Sequence, residues 1–477
     1  MEVSNIQDAV VTVMGLGRLK RGSGVGATKW LIRHGAQVVI TDHRTNEELR
    51  ESVDEVTRWF EEYRQTLPDR ELYHPIFVLG EHREEDFTDV ALVITNPDVP
   101  HDSPWVKMAY AHRVPVESDV SLFFQFCPYP VIGVTGARGK TTTTALIGEL
   151  LKKKNPQTIV AGNMRVSPLE YLDEILAWKE PAPIVLELSS WLLESLDHLD
   201  RGPEVGVLTN MYADHLHRYA SMEAYAASKV GVFAKGGKDG IAVLNADQDQ
   251  VRGLAEKAPG RVVWFSLLLL EGKEGVCVKD GNVTSLNDII MPVSNIHLEG
   301  DDNVRNVLAA IAVAKLYSVE NASCAEVVKA FSSEDDRQEI VTDVSGVIYV
   351  NDALGSSAEA TTNVLRRFGE RGRSIHLISG GDVKEGNLDE LAKVCKLVCK
   401  SVVLLPGAGS DAFEHVMGKT EEVKILRAEN MPDAVVTASQ AATSADAVIF
   451  SPALGYSDTS AAKQLGEAFA KAARELK

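Results

Sequence analysis

Gly133-Val134-Thr135-Gly136-Ala137-Arg138-Gly139-Lys140-Thr141-Thr142 is the stretch that most narrows what this chain can fold into. An apolar run at 131–134 leads into it, and a helical pattern at 142–153 with Leu146, Leu150 and Leu151 on one face leads out. The glycines therefore stand in a strand-to-helix turn. Gly136 and Gly139 let backbone N–H groups turn inward around phosphate oxygens, and the helix N-terminus adds partial positive charge. Lys140 is placed to neutralise terminal phosphates, and the Thr141 hydroxyl to hold magnesium. Position 134 is Val where the strict phosphate-loop spelling has Gly. The plain alternative is a turn that only joins strand to helix; the Gly-Lys-Thr-Thr ending between strand entry and helix exit favours phosphate.

The surrounding pattern is α/β. Buried-type runs at 184–188, 205–208 and 241–244 alternate with helical stretches, as in a parallel sheet. Before them, a run at 10–14 enters Gly15-Leu16-Gly17 and a second glycine cluster, followed by a helix to His34. A run at 38–40 then leads to Asp42 and Arg44, and one at 91–95 ends at Asn96. An acidic residue just beyond a strand is where nucleotide-binding α/β units keep one. The glycines of this first turn fit close packing as well as a ligand. A third set of strands is expected at 347–350, 375–378, 402–405 and 447–450, and a helix at 303–316. Residues 257–287 read as Gly-rich and irregular. Three sets in series imply three domains, 1–127, 128–332 and 333–477.

A chain of 477 residues, 45% hydrophobic and 25% charged, is globular and too long for one core. Its formal charge of -19 repels polyanions, so neither nucleic acid nor an anionic membrane surface is an expected partner. Five scattered cysteines without a C-x-x-C pair fit a reducing cytosol rather than disulfides or zinc. The first ten residues lack the layout of a secretory signal, and no apolar run spans a bilayer, so a cytoplasmic protein is expected.

The loop Gly133 to Thr142 resembles the Thr-Gly-x-x-Gly-Lys-[Ser/Thr]-Thr element of Mur ligases and their folylpolyglutamate synthetase relatives, and further matches follow in the family's order. Glu187-Leu188-Ser189-Ser190 resembles Glu-x-Ser-Ser, and Asn210 to His215 resembles Asn-x-x-x-Asp-His. The resemblance implies two magnesium ions served by Thr141, Glu187, His215 and Lys229, with Lys229 carbamylated, and gives Lys140, Lys229 and His215 catalytic roles. It implies ATP contacts from Gly136, Ala137, Arg138, Gly139, Lys140, Thr141 and Thr142, and further along from Asn303, Asn306, Arg337 and Asp352. Gly17, Asp42, Arg44, Asn96, Asn163, Ser189, Lys384 and Ser451 fall at substrate-binding positions. Each has an ordinary alternative: Glu187 as a capping carboxylate, His215 as a packed core residue, Lys229 as a surface lysine, Asn303 and Asn306 as one polar helix face, Asp352 as a turn former.

The fold implied is a three-domain architecture: a Rossmann-like domain for a UDP-linked substrate, a P-loop ATPase-like centre, and a Rossmann-like C-terminal domain for an amino acid. The function implied is ATP-dependent amide formation through an acyl phosphate in peptidoglycan precursor synthesis, serving the cell wall and hence cell shape and division. Its substrates are a UDP-muramoyl precursor and an amino acid, handled by a monomer whose last domain closes over the second. Order and length are most similar to the branch that adds D-glutamate to UDP-N-acetylmuramoyl-L-alanine. The chain departs from that pattern where specificity is set: Ala353-Leu354-Gly355-Ser356 replaces Ser-Lys-Ala-Thr, Ser460 stands near an expected phenylalanine, Asp302 replaces a histidine and Arg165 a glycine. A basic first loop with Arg18, Lys20 and Arg21 would suit a diphosphate. A ligase for a different amino acid and a catalytically silent nucleotide-binding regulator remain as other readings.

Overall fold

The computed structural model describes residues 6–70, 72–100, 102–164, 166–212, 219, 221–285, 288–298, 300–331, 339–353, 355, 358–369, 372–381, 388–418, 422–454 and 459–476. Two compact units divide the chain, Met1–Phe331 and Ser332–Lys477.

The first unit holds two sheets. One contains β1 (Val10–Met14), β2 (Gln37–Asp42), β3 (Ile76–Leu79), β4 (Leu92–Thr95) and β5 (Val116–Ser118), in the order β3-β2-β1-β4-β5. All its pairings are parallel. The other contains β6 (Val131–Thr135), β7 (Ile159–Gly162), β8 (Ile184–Glu187), β9 (Val205–Leu208), β10 (Ile241–Asn245), β11 (Arg261–Ser266), β12 (Gly275–Lys279), β13 (Asn282–Ser285) and β14 (Asp288–Pro292). Its order is β14-β13-β12-β11-β10-β9-β6-β8-β7, parallel from β7 through to β12 and antiparallel at β12-β13-β14. The near-continuous apolar strands β6, β9 and β10 are buried on both faces because helices cover each side. One covering pair is Lys140–Lys152 and Asp301–Leu316, whose Leu146, Leu150, Val307 and Ile311 share a core.

Within this unit the helix Ser23–Arg33 packs on the helix Leu169–Leu176. Gly26 permits the approach, since a Cβ there would run into Ser167. Asp173 accepts from Trp30 Nε1 at 3.1 Å and Arg33 Nε at 2.6 Å, and lies 2.8 Å from His34 Nε2. The first two sheets thus share one apolar core sealed by a polar clamp.

The second unit is built on β15 (Glu339–Val344), β16 (Val347–Asn351), β17 (Ile375–Ser379), β18 (Cys399–Leu404), β19 (Lys424–Arg427) and β20 (Ala447–Phe450), ordered β15-β16-β20-β17-β18-β19. Among the described residues only the β15-β16 pairing is antiparallel.

Three expectations are corrected. Asp42 is the last residue of β2 rather than beyond it. The helix after the phosphate loop begins at Lys140, because Gly139 takes a left-handed conformation (φ 76°) that lets the first turn start at once. The stretch expected to be irregular carries β11 to β13; β12 and β13 are joined by Asp280-Gly281, both at positive φ, the two-residue turn suited to a tight hairpin.

Candidate functional site

In the second sheet β6 lies between β8 and β9, with Val134 opposite Glu187 and Thr135 opposite Leu208. The chain leaves β6 for one side of the sheet and later returns to the other, so a crevice opens at the C-terminal ends of these strands. The phosphate loop, Glu187 and the segment after β9 all fall there.

Gly136 (φ 152°) and Gly139 (φ 76°) occupy backbone conformations that favour glycine. Space requires glycine too: a Cβ at Gly136 would meet the Thr209 hydroxyl, and one at Gly139 the Asn306 side chain. Asn210 clamps the loop. Its Oδ1 accepts from Arg138 N–H at 2.9 Å, its Nδ2 donates to the Arg138 carbonyl at 2.9 Å, and its carbonyl accepts from Ala137 N–H at 3.2 Å. The Thr209 hydroxyl also donates to the Arg138 carbonyl, at 2.7 Å. The N–H groups of Ala137 and Arg138 are therefore turned toward Asn210, and the helix's first turn, with Lys140, Thr141 and Thr142, carries the donors for an anion. Asn306, which abuts Gly139, donates to Asn303 Oδ1 at 3.2 Å.

Two ammonium groups converge on one oxygen. Lys140 Nζ donates to the Gly136 and Ala137 carbonyls, each at 3.1 Å, and Lys229 Nζ donates to the Gly136 carbonyl at 3.0 Å. Lys229 is not a surface residue: it is 2% exposed, with Nζ 4.6 Å from the Tyr225 ring centroid.

Glu187 ends β8 and is 1% exposed. Asn163 Nδ2 donates to its Oε1 at 2.9 Å, while Oε2 is buried without a hydrogen-bond partner among the described residues. A buried carboxylate oxygen without a donor is costly, and a cation would offset that cost. The donor set thus suits a hard divalent ion that takes few protein oxygens, such as magnesium. Among the described residues no group of three or more His, Cys, Asp and Glu side chains gathers as a metal cage.

The first sheet has its own crevice beside β1. Gly15 (φ 90°) and Gly17 (φ 75°) lie against Asn96, whose Nδ2 donates to the Gly15 carbonyl at 3.3 Å. Asp42 is buried and accepts from Leu16 N–H and Arg44 N–H, each at 3.0 Å, so its carboxylate shapes the glycine turn. In the basic loop Arg18 and Lys20 face Glu48 and Glu51 at 3.5 Å, and Arg21 lies 3.8 Å from Glu170.

In the second unit Asp352 and Ser451 meet where β20 lies between β16 and β17: the Ser451 hydroxyl donates to Asp352 at 2.8 Å. Ser189 caps the helix Ser190–Glu194 through Leu192 N–H. His215, Arg337, Lys384, Leu354 and Arg165 lie outside the described residues, and of Ser460 only the backbone is described. Sequence reasoning named Asn210 only as the first residue of the Asn-x-x-x-Asp-His element and gave no role to Thr209 or Tyr225; the available signal for the clamp was a polar pair directly after an apolar run ending near Leu208.

The family description "Mur ligase middle domain" matches residues 134–314. A UDP-N-acetylmuramoylalanine–D-glutamate ligase of Roseiflexus sp. (strain RS-1) is 34% identical over 453 residues, covering 92% of this chain and 92% of that protein. The ligase of that name from Streptococcus pneumoniae serotype 2 (strain D39) is 30% identical, covering 100% and 99%. Among solved structures, the UDP-N-acetylmuramate-alanine ligase MurC of Thermotoga maritima matches with a TM-score of 0.56 at 19% identity, covering 98% of this chain and 100% of that one. MurF ligase of Thermotoga maritima, solved in complex with ADP, matches at 0.53 and 14%, covering 100% of both chains. The two solved structures share the fold.

Proposed function

The chain belongs to the Mur ligase family, and from that premise we propose that it joins D-glutamate to UDP-N-acetylmuramoyl-L-alanine at the expense of ATP, in peptidoglycan precursor synthesis. The observation that carries the reading is the glycine loop gripped by Asn210, with Lys140 over it and Glu187 offering beside it a buried oxygen that has no partner among the described residues. Relatives named for this reaction cover nearly the whole chain.

A carboxylate is a poor electrophile, and transfer of the terminal phosphoryl group of ATP makes it an acyl phosphate that an amine can attack. Phosphoryl transfer is chiefly positioning and charge neutralisation. Lys140 and the first turn of its helix would take the terminal phosphates, and Asn210 keeps the loop rigid while they do. Thr141 and Glu187 would hold magnesium, with His215 and a carbamylated Lys229 completing a second site; the metal supplies Lewis-acid polarisation of phosphate oxygens. Asn163 orients Glu187 so that Oε2 faces outward from their hydrogen bond. Asn303 and Asn306 would line the nucleotide; Arg337 and Asp352 are further ATP contacts that the family resemblance implies.

We assign 1–127 to the UDP-linked substrate through Gly17, Asp42, Arg44 and Asn96; 128–332 to ATP and the acyl group, with Asn163 and Ser189; and 333–477 to the amino acid, through Lys384 and Ser451. The protein acts as a cytoplasmic monomer on small molecules. A charge of -19 disfavours nucleic acid, and no helix among the described residues is long and apolar enough to cross a membrane.

Leu354 in place of the pattern's lysine favours testing a second reading, a different amino acid. The test is phosphate release from ATP with UDP-N-acetylmuramoyl-L-alanine and a panel of amino acids, with the product's mass read for each. Release and product with D-glutamate support the proposal. Turnover with another amino acid alone replaces it with the second reading, and no turnover with any points to a silent regulator.

A further inference from the structure

The overall charge of -19 opposes a nucleotide polyphosphate, so the phosphate loop must concentrate positive potential from a few groups. Lys140 and the end of a 13-residue helix are two of them. Arg138 is the exposed position of the loop, and its backbone is fixed on both sides by Asn210 and Thr209. Only its long side chain keeps rotational freedom, and that too is engaged: the guanidinium carbon lies 5.1 Å from the centroid of the Tyr212 ring.

Tyr212 is itself anchored. Its hydroxyl donates to Asp302 Oδ1 at 3.3 Å, the same oxygen that accepts from Arg305 Nη1 at 3.2 Å. Arg305 Nε in turn donates to Asp247 Oδ2 at 2.8 Å, and Asp247 also accepts from Leu267 N–H at 3.0 Å. The relay runs from the loop, across the segment after β9, to the N-terminus of the helix Asp301–Leu316 and on to the loop after β10. Its two arginines and two aspartates balance apart from the ring, so its product is orientation rather than net charge. Burial, with the Asp302 charge adding to it, pushes the Tyr212 phenol above its ordinary value.

We propose that Tyr212 and Asp302 are positioning residues that hold the Arg138 guanidinium beside the phosphate loop as a second cation for the terminal phosphates of the nucleotide. This rests on the reading of the loop as the ATP site. Nothing in the loop's own spelling requires it, because the family pattern leaves position 138 open and has histidine at 302. An arginine held over an aromatic face is partly ordered before the anion arrives, so less side-chain freedom is lost on binding.

The test is displacement of a fluorescent ATP analogue by ATP, ADP and AMP from the full chain and from Y212A, Y212F, D302N, R138A and R138A/Y212A, each checked for an unchanged melting curve. Expected for Y212A is a loss of roughly fivefold in affinity for ATP and ADP with AMP unchanged, about twofold for Y212F and D302N, and no further loss on adding Y212A to R138A. The KM for ATP should rise while kcat at saturating ATP changes less. Equal weakening of all three nucleotides would mean that Tyr212 only supports the fold or meets the base, and overturns the proposal. So would an unchanged affinity in Y212A while the wild-type chain binds ATP. A wild-type chain that binds no ATP overturns the nucleotide reading itself, and this inference with it.

Discussion

Lys140 and Lys229, 89 positions apart in the sequence, donate to the same carbonyl oxygen, that of Gly136. Two like charges on one acceptor repel, and the site gains when an anion arrives or when one of them loses its charge. A triphosphate answers the first need, and carbamylation of Lys229 the second. Lys140→Ala should therefore lower ATP-dependent phosphate release by at least about 10³-fold while leaving the melting temperature near wild type. Turnover with a melting curve recorded on the same preparation checks both halves, and unchanged turnover rejects the assignment.

Gly139 touches Asn306 where any side chain would collide with it. Its positive φ adds backbone strain to the steric conflict. Gly139→Ala should raise the KM for ATP by roughly tenfold or more, about 1.4 kcal/mol or above, and leave the KM of the UDP-linked substrate close to wild type. Steady-state kinetics with each substrate varied in turn distinguishes this from general destabilisation.

Among the described residues Glu187 Oε2 is buried without a donor, and Asn163 holds Oε1. Glu187→Gln keeps the shape and removes the charge, so the magnesium concentration for half-maximal activity should rise by about 10- to 100-fold. Asn163→Ala should move it the same way by a smaller step. A magnesium titration at fixed ATP measures both.

His376 lies buried between the Ser401 hydroxyl (2.8 Å from Nδ1) and Asp446 (3.3 Å from Nε2), and Lys400 sits 3.0 Å from that aspartate. Burial lowers its pKa below 6.5, with Asp446 opposing and Lys400 assisting. The unfolded chain then binds more protons than the folded one, so this stability is complete above pH 6.5 and is lost as pH falls through the folded pKa. The Ser332–Lys477 unit should melt a few degrees lower at about pH 5.5 than at about pH 7.5, and His376→Gln should flatten that difference. Asp446, whose pKa lies below 3.8 because the Thr443 and Lys400 donors outweigh its burial, acts in the same direction only in stronger acid.

Sequence periodicity located the elements that are buried on both faces. β1, β6, β9, β10, β16 and β20 are short continuous apolar runs, and burial alone writes them. Edge and hairpin strands were less legible. β12 and β13 are half polar, and Asp280-Gly281 was the signal that pairs them. The phosphate loop could be read because its glycines, lysine and threonines are adjacent in sequence. The grip on it could not: Asn210 was visible as part of a motif, but the hold that it and Thr209 take on Arg138 spans more than 70 positions through a strand pairing. Asp42 was legible as an acid just beyond a strand, one place off from its position as the last residue of β2, and its two backbone partners follow from the turn it closes.

Calorimetric titration of magnesium-ATP into the wild-type chain bears most directly on the loop's assignment. Saturable binding at one site, lost in Lys140→Ala, is the outcome expected of a loop that presents a triphosphate to a carboxylate. No heat of binding from a folded sample, or equal binding by Lys140→Ala, would contradict it.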